Sequence, residues 1–102
     1  ADRFDGLDLI IGHCGATDFW NDMAGAGQAS DRVYFESSLA RPFLFTKYLE
    51  AAGQHKGIMG SFAPNNELTF EWSQMRGELP DGMQEDVLGG TLQRLLERRG
   101  AL

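Results

Sequence analysis

Three short apolar runs recur at an almost constant interval. They are LDLIIG from Leu7, RVYFES from Arg32 and KGIMGS from Lys56, so successive runs start 25 and 24 residues apart. Each holds β-branched or aromatic residues and is bounded by Gly, Ser or Asp, the local signature of a strand. Between and after them the apolar residues follow helical spacing: Phe19 with Met23, then Phe45, Leu49 and Ala52, then Leu68, Trp72 and Met75. Parallel strands need a crossover of a dozen or more residues, and an interval with a helix in it supplies one. The pattern predicts an α/β fold, β-α-β-α-β-α, with parallel strands joined by right-handed helical crossovers.

Helix ends are marked too. Pro42 suits a first helical turn, Gly53 a C-terminal cap, and Asn65 or Asn66 an N-terminal cap. A short helix over 81–88 is set off by Gly89-Gly90 from a last helix, which Thr91 is expected to cap and which buries Leu92, Leu95 and Leu96. Arg98 and Arg99 then fall at the negative end of that helix, an ordinary dipole effect.

At 102 residues the chain makes one domain at most, and 42% apolar with 24% charged residues are ordinary globular values that argue against disorder. A net charge of -6, with 9 basic residues scattered among 15 acidic ones, argues against a nucleic-acid partner and against an anionic membrane surface. The single cysteine, Cys14, excludes an internal disulfide and fits a reducing compartment. No apolar run approaches the roughly 18 to 20 residues of a membrane span, so a cytoplasmic protein is expected.

In parallel α/β folds chemistry collects at the carboxyl ends of the strands, because those ends share one rim. Here they carry His13, then Glu36 with Ser37 and Ser38, then Ser61 with Phe62. Strand alternation through Cys14 would put Leu9, Ile11 and His13 on one face and Ile10 and Cys14 on the other, so Cys14 and His13 form no nucleophile pair. His13 reads either as a hydrogen-bonded histidine closing a strand or as a site residue. Glu36 reads either as a general base or as a loop cap beside Arg41. The serines lack a matching base, so no catalytic triad is expected. His55 belongs to the opposite end of the sheet, on the order of 15 to 20 Å away, and cannot share a metal with His13. Asp18 and Asp22 suit a solvated helix face.

The segments LIIGHCGATDFW, RVYFESSLARPF, GIMGSFAPNNELTFEW and VLGGTLQRLL resemble, in this order, the closing segments of the amidohydrolase-related metal-dependent hydrolases, including the aminocarboxymuconate semialdehyde decarboxylase-like group. These are (β/α)8 TIM barrels. The resemblance implies that residues 1–102 form a single partial domain, the last three βα units of an incomplete barrel. It implies a metal-assisted hydrolase or a decarboxylase acting on a small carboxylated or ring substrate, with Zn²⁺ or a similar divalent ion in the parent protein. His13 alone carries over cleanly and would approach the metal or its bound water; Glu36 as a second catalytic candidate, and Ser37 and Ser61 as substrate contacts, rest on their place at the strand ends.

Two departures accompany the resemblance. A complete barrel needs about 250 residues and draws a His-x-His metal pair from an early strand, which this chain lacks. In GSFAP, Phe62 stands at the place of the family aspartate, and phenylalanine cannot ligate a metal. The isolated chain is therefore expected to be inactive and to hold no metal. A noncatalytic interaction module and a free-standing three-stranded domain with a small site near His13 are the alternatives. Open strand edges and an uncovered face of Leu9, Ile11 and Ile58 lead to expected self-association.

Overall fold

The computed structural model describes residues 6–15, 23–61 and 68–101. Strand β1 (Leu9–Ile11) is followed by helix α1 (Met23–Ala29), strand β2 (Val33–Glu36), helix α2 (Pro42–Ala52) and strand β3 (Gly57–Ile58). Helices α3 (Leu68–Glu78), α4 (Asp81–Glu85) and α5 (Thr91–Arg98) follow, with a π-helical turn, Asp86–Gly90, joining α4 to α5. The strands form one parallel sheet in the order β1-β2-β3, as the spacing of the apolar runs predicts. No helix among the described residues is long and apolar enough to cross a membrane.

Register decides which residues share a face. Leu9, Ile10 and Ile11 pair with Val33, Tyr34 and Phe35, while Phe35 and Glu36 pair with Gly57 and Ile58. Side chains alternate, so Leu9, Ile11, Val33, Phe35 and Gly57 lie on one face and Ile10, Tyr34, Glu36 and Ile58 on the other. The first face carries the main core: Val33 and Phe35 pack with Phe45, Tyr48 and Leu49 of α2, Met75 of α3, Leu79 and Val87. The second is covered at its centre by Leu95 of α5, packed on Tyr34 and Ile58.

Ile58 thus lies opposite Leu9 and Ile11 and is buried, which corrects the expectation of one uncovered face containing all three. What stays open is the β1 edge: Leu9 and Ile10 are 38% and 48% exposed in the strand, and Leu7, just before it, is 43% exposed.

Close approach of α2 to its neighbours depends on two glycines. A Cβ on Gly27 would lie 2.6 Å from Ala52 Cβ and from the Phe35 ring, and one on Gly57 would lie 2.6 Å from Leu49 Cδ1. Helix α2 starts on Pro42 and ends at Gly53, whose N–H closes the last helical bond to the Leu49 carbonyl at 2.8 Å and whose φ of 121° turns the chain out of the helix. The α3 stripe differs from its expected form. Met75 and Leu79 are buried, but Trp72 is 42% exposed under the Arg76 guanidinium, 4.9 Å from the ring centroid. Thr91 also departs from expectation: it is the first residue of α5, makes no capping bond, and its buried Oγ1 has no partner. Leu92 points outward, being 38% exposed.

Polar groups fasten the amino end of the sheet. Asp8 Oδ1 accepts from Arg98 at 2.8 Å and Arg32 at 3.3 Å, and Oδ2 accepts from Arg99 at 2.6 Å. Arg98 also donates to the Tyr34 hydroxyl at 2.9 Å. Burial works against the Asp8 carboxylate, but the bonds and charges of Arg99 and Arg98 outweigh it and hold the group below the ordinary aspartate range. Arg98 and Arg99 are therefore ties from α5 to the start of β1, not merely favourable charges at a helix end. Lys56 is buried and donates to the Gly27 and Ser30 carbonyls, closing the negative end of α1.

Candidate functional site

The three strands deliver their ends to one rim. After β1 the chain turns into a single 3₁₀ turn, Gly12–Gly15, in which His13 takes a left-handed φ of 56°. Strand alternation therefore stops before His13, correcting the expectation that it continues the Leu9 and Ile11 face. The turn carries His13 over the end of β2, where Glu36 and Ser38 receive it.

The contacts are specific. Glu36 Oε1 accepts from the Ser38 N–H at 2.8 Å, and Oε2 accepts from the Ser38 hydroxyl at 2.7 Å and the His13 N–H at 3.0 Å. His13 Nδ1 lies 2.8 Å from Ser38 Oγ and 3.1 Å from the Ser38 carbonyl oxygen. Glu36, half-buried, takes these donors and not Arg41, so it binds the rim together as a capping group of a different kind from the one expected.

The neighbouring strand end joins through Ser37. Its N–H donates to the Ile58 carbonyl at 3.0 Å, and its hydroxyl accepts from the Gly60 N–H at 3.2 Å. Ser37 is 1% exposed, so it works as a tie between β2 and β3 and reaches the surface only as part of a groove wall. Ser61 follows, half-buried, on the same rim. Gly60 is required by the carboxylate beside it, since a Cβ there would lie 1.9 Å from Glu36 Oε1.

A groove of about 220 Å³ opens next to this network, between the turn after β2 and helix α3. Ser37, Leu39, Ala40, Pro42, Gln74 and Met75 contribute to its walls. Leu39, immediately after Ser38, has a left-handed φ of 60°. Of the residues in that sparsely populated conformation, His13 belongs to the Glu36–Ser38–His13 cluster and Leu39 adjoins it, and such strain persists only where surrounding contacts enforce it.

His13, Glu36, Ser37 and Ser61 are brought to one rim. His55 lies in the 3₁₀ turn Gln54–Lys56 that leads into β3, at the other end of the sheet. Phe62, Asp18 and Asp22 fall outside the described residues. The expectation that no base stands near the serines does not hold for Ser38, which contacts both His13 and Glu36. The order is nevertheless not that of a hydrolytic triad, because the serine sits between carboxylate and imidazole. No signal in the sequence marks the contact of Glu36 with Ser38, because local bonds back to an N–H two residues on are the habit of Asp, Asn, Ser and Thr, not of the longer glutamate.

Among the described residues no group of three or more His, Cys, Asp or Glu side chains is placed to hold a metal ion. Glu36 already accepts three hydrogen bonds, and Nδ1 of His13 is engaged by Ser38, so ligation by this ring would have to use Nε2. The described residues supply at most part of a metal site. Compared with protein-family models, with curated proteins and with solved structures, the chain matches none.

Proposed function

We propose that this chain supplies the rim of an amidohydrolase-like hydrolase or decarboxylase, in which His13 exchanges a proton with a small ring substrate or with the water that attacks it. The observation that supports this reading is the meeting of two parallel strand ends at His13, held by Glu36 through Ser38, with the β3 end tied alongside through Ser37. A histidine fixed from behind is what general acid–base catalysis requires, since proton transfer depends on a set distance and orientation. The adjacent groove of about 220 Å³, walled by Leu39, Ala40, Pro42 and Met75, has room for a single ring.

The last three βα units of a TIM barrel are the architecture this reading carries, and remaining strands from a longer polypeptide would complete both barrel and site. The described residues do not form a metal-binding set, so a divalent ion would need ligands from those other strands. The direct test is to express a longer product of the same gene with and without His13→Ala, supply Zn²⁺, and assay small aromatic carboxylic acids and lactones. Loss of general acid–base catalysis lowers turnover by about 10²- to 10⁴-fold. Turnover unchanged by His13→Ala would overturn the assignment.

A second reading has its own support. The exposed Leu7, Leu9 and Ile10 along the β1 edge suit a noncatalytic module that pairs with another copy through an open strand edge.

A further inference from the structure

Donor and acceptor roles around Ser38 can be assigned one contact at a time. A backbone carbonyl only accepts, so the 3.1 Å contact between His13 Nδ1 and Ser38 O needs a proton on Nδ1. An ionised carboxylate also only accepts, so the 2.7 Å contact with Glu36 Oε2 consumes the one hydroxyl proton of Ser38. With that proton committed, Ser38 Oγ meets Nδ1 at 2.8 Å as an acceptor. Both contacts at Nδ1 make the same demand. In a neutral imidazole the lone pair then resides on Nε2.

We propose that Ser38 is a positioning residue that, oriented by Glu36, locks His13 in the Nδ1–H tautomer and so makes Nε2 the basic nitrogen of the site. Ser38 is 4% exposed, and its proton is already given to Glu36, so it is not itself a nucleophile. The same carboxylate oxygen accepts the His13 backbone N–H at 3.0 Å, fixing the root of the ring as well as its proton. A single carboxylate thereby sets both where the imidazole stands and which nitrogen carries hydrogen. This deepens the reading of His13 as the acting group at the rim and rests on it, but its test needs neither metal nor substrate.

Long-range ¹H–¹⁵N correlation spectra of the full chain, taken where histidine is neutral, report the tautomer directly. In the wild type the His13 Nδ1 shift is expected to be of the protonated, pyrrole type and the Nε2 shift of the unprotonated, pyridine type; the reverse pattern overturns the proposal. Ser38→Ala should move the tautomer ratio toward Nε2–H by roughly fivefold, the equilibrium equivalent of one ordinary hydrogen bond. Glu36→Ala should also move it toward Nε2–H, because the Ser38 hydroxyl proton is then released to turn toward Nδ1. An unchanged ratio in a folded variant means the carbonyl alone fixes the ring, and the role given to Ser38 fails. Should neither variant fold, a wild-type ring carrying its proton on Nε2 still overturns the proposal, and Ser38→Cys, which keeps a weak donor and acceptor, tests the hydroxyl. A chain that shows the Nδ1–H ring and no hydrolase or decarboxylase activity would remove the enzymatic reading and leave this assignment standing.

Discussion

Gly60 and Glu36 are in contact where no side chain fits between them: a Cβ at position 60 would fall 1.9 Å from Glu36 Oε1 and 2.8 Å from its Cδ. The carboxylate cannot yield without dropping the Ser38 and His13 bonds it accepts. Gly60→Ala should therefore destabilise the chain by about 1–3 kcal/mol, the usual range for overpacking. Gly77, in α3 with nothing within 4 Å of its Cβ position, is the internal comparison. There the same substitution should stabilise by about 0.5–1 kcal/mol through helix propensity. Urea midpoints of both variants check the pair, and equal effects at the two sites would contradict the contact.

Asp8 gives the chain an acid-sensitive clamp. Its pKa is held below the ordinary 3.8 when folded. A depressed carboxylate contributes stability that is full above the unfolded value and is lost as pH falls through the folded one. Asp8→Asn should cost about 1–2 kcal/mol at neutral pH, since partly exposed arginines are screened by solvent. The difference between wild type and variant should then close below 3.8. Urea titrations repeated at stepped pH would show it; a gap that stayed constant into acid would mean the arginines do not act on this carboxylate.

Lys56 is a buried cation satisfied by carbonyls of one helix end rather than by a carboxylate. Lys56→Met keeps the stem but leaves the Gly27 and Ser30 carbonyls without their donor. A loss of about 1–3 kcal/mol is expected, the range for an unsatisfied buried acceptor. Hydrogen exchange should show α1 opening faster than α2, and uniform protection loss across both helices would point to a global effect instead.

Zinc titration of the chain should yield no more than the weak binding of a lone histidine, because structural and catalytic sites need three or more protein ligands. Calorimetry checks this. Tight, stoichiometric binding abolished by His13→Ala would show that residues outside those described complete a site.

The β1 edge predicts association between copies. Ile10→Lys places a charge at a 48% exposed position on the edge strand, a common way of blocking strand pairing. Light scattering should show dimers or larger species for the wild type and a shift toward monomer for the variant. A wild type that remains monomeric at high concentration would remove the edge as an interface.

The order of elements and the parallel sheet were legible in the sequence because each rests on local periodicity: apolar runs of strand length at 25- and 24-residue intervals leave one helix to each crossover. Parallel strands put their carboxyl ends on one side, so the sequence alone groups His13, Glu36, Ser37 and Ser61. Faces and partners were not legible. That Ile58 turns away from Leu9 and Ile11 depends on register, and a one-residue shift reverses every side chain. Trp72 and Leu92 follow helical spacing as well as their buried neighbours do, and only the placement of α3 and α5 against the sheet decided which of them met the core. Asp8 and Arg98, separated by 90 positions, meet because α5 returns to the start of β1. The chain's own periodicity determined which strand ends share the rim, whereas tertiary packing decided which atoms touch there, since Ser38 reaches His13 only after the left-handed turn at His13 brings two strand ends within hydrogen-bonding distance.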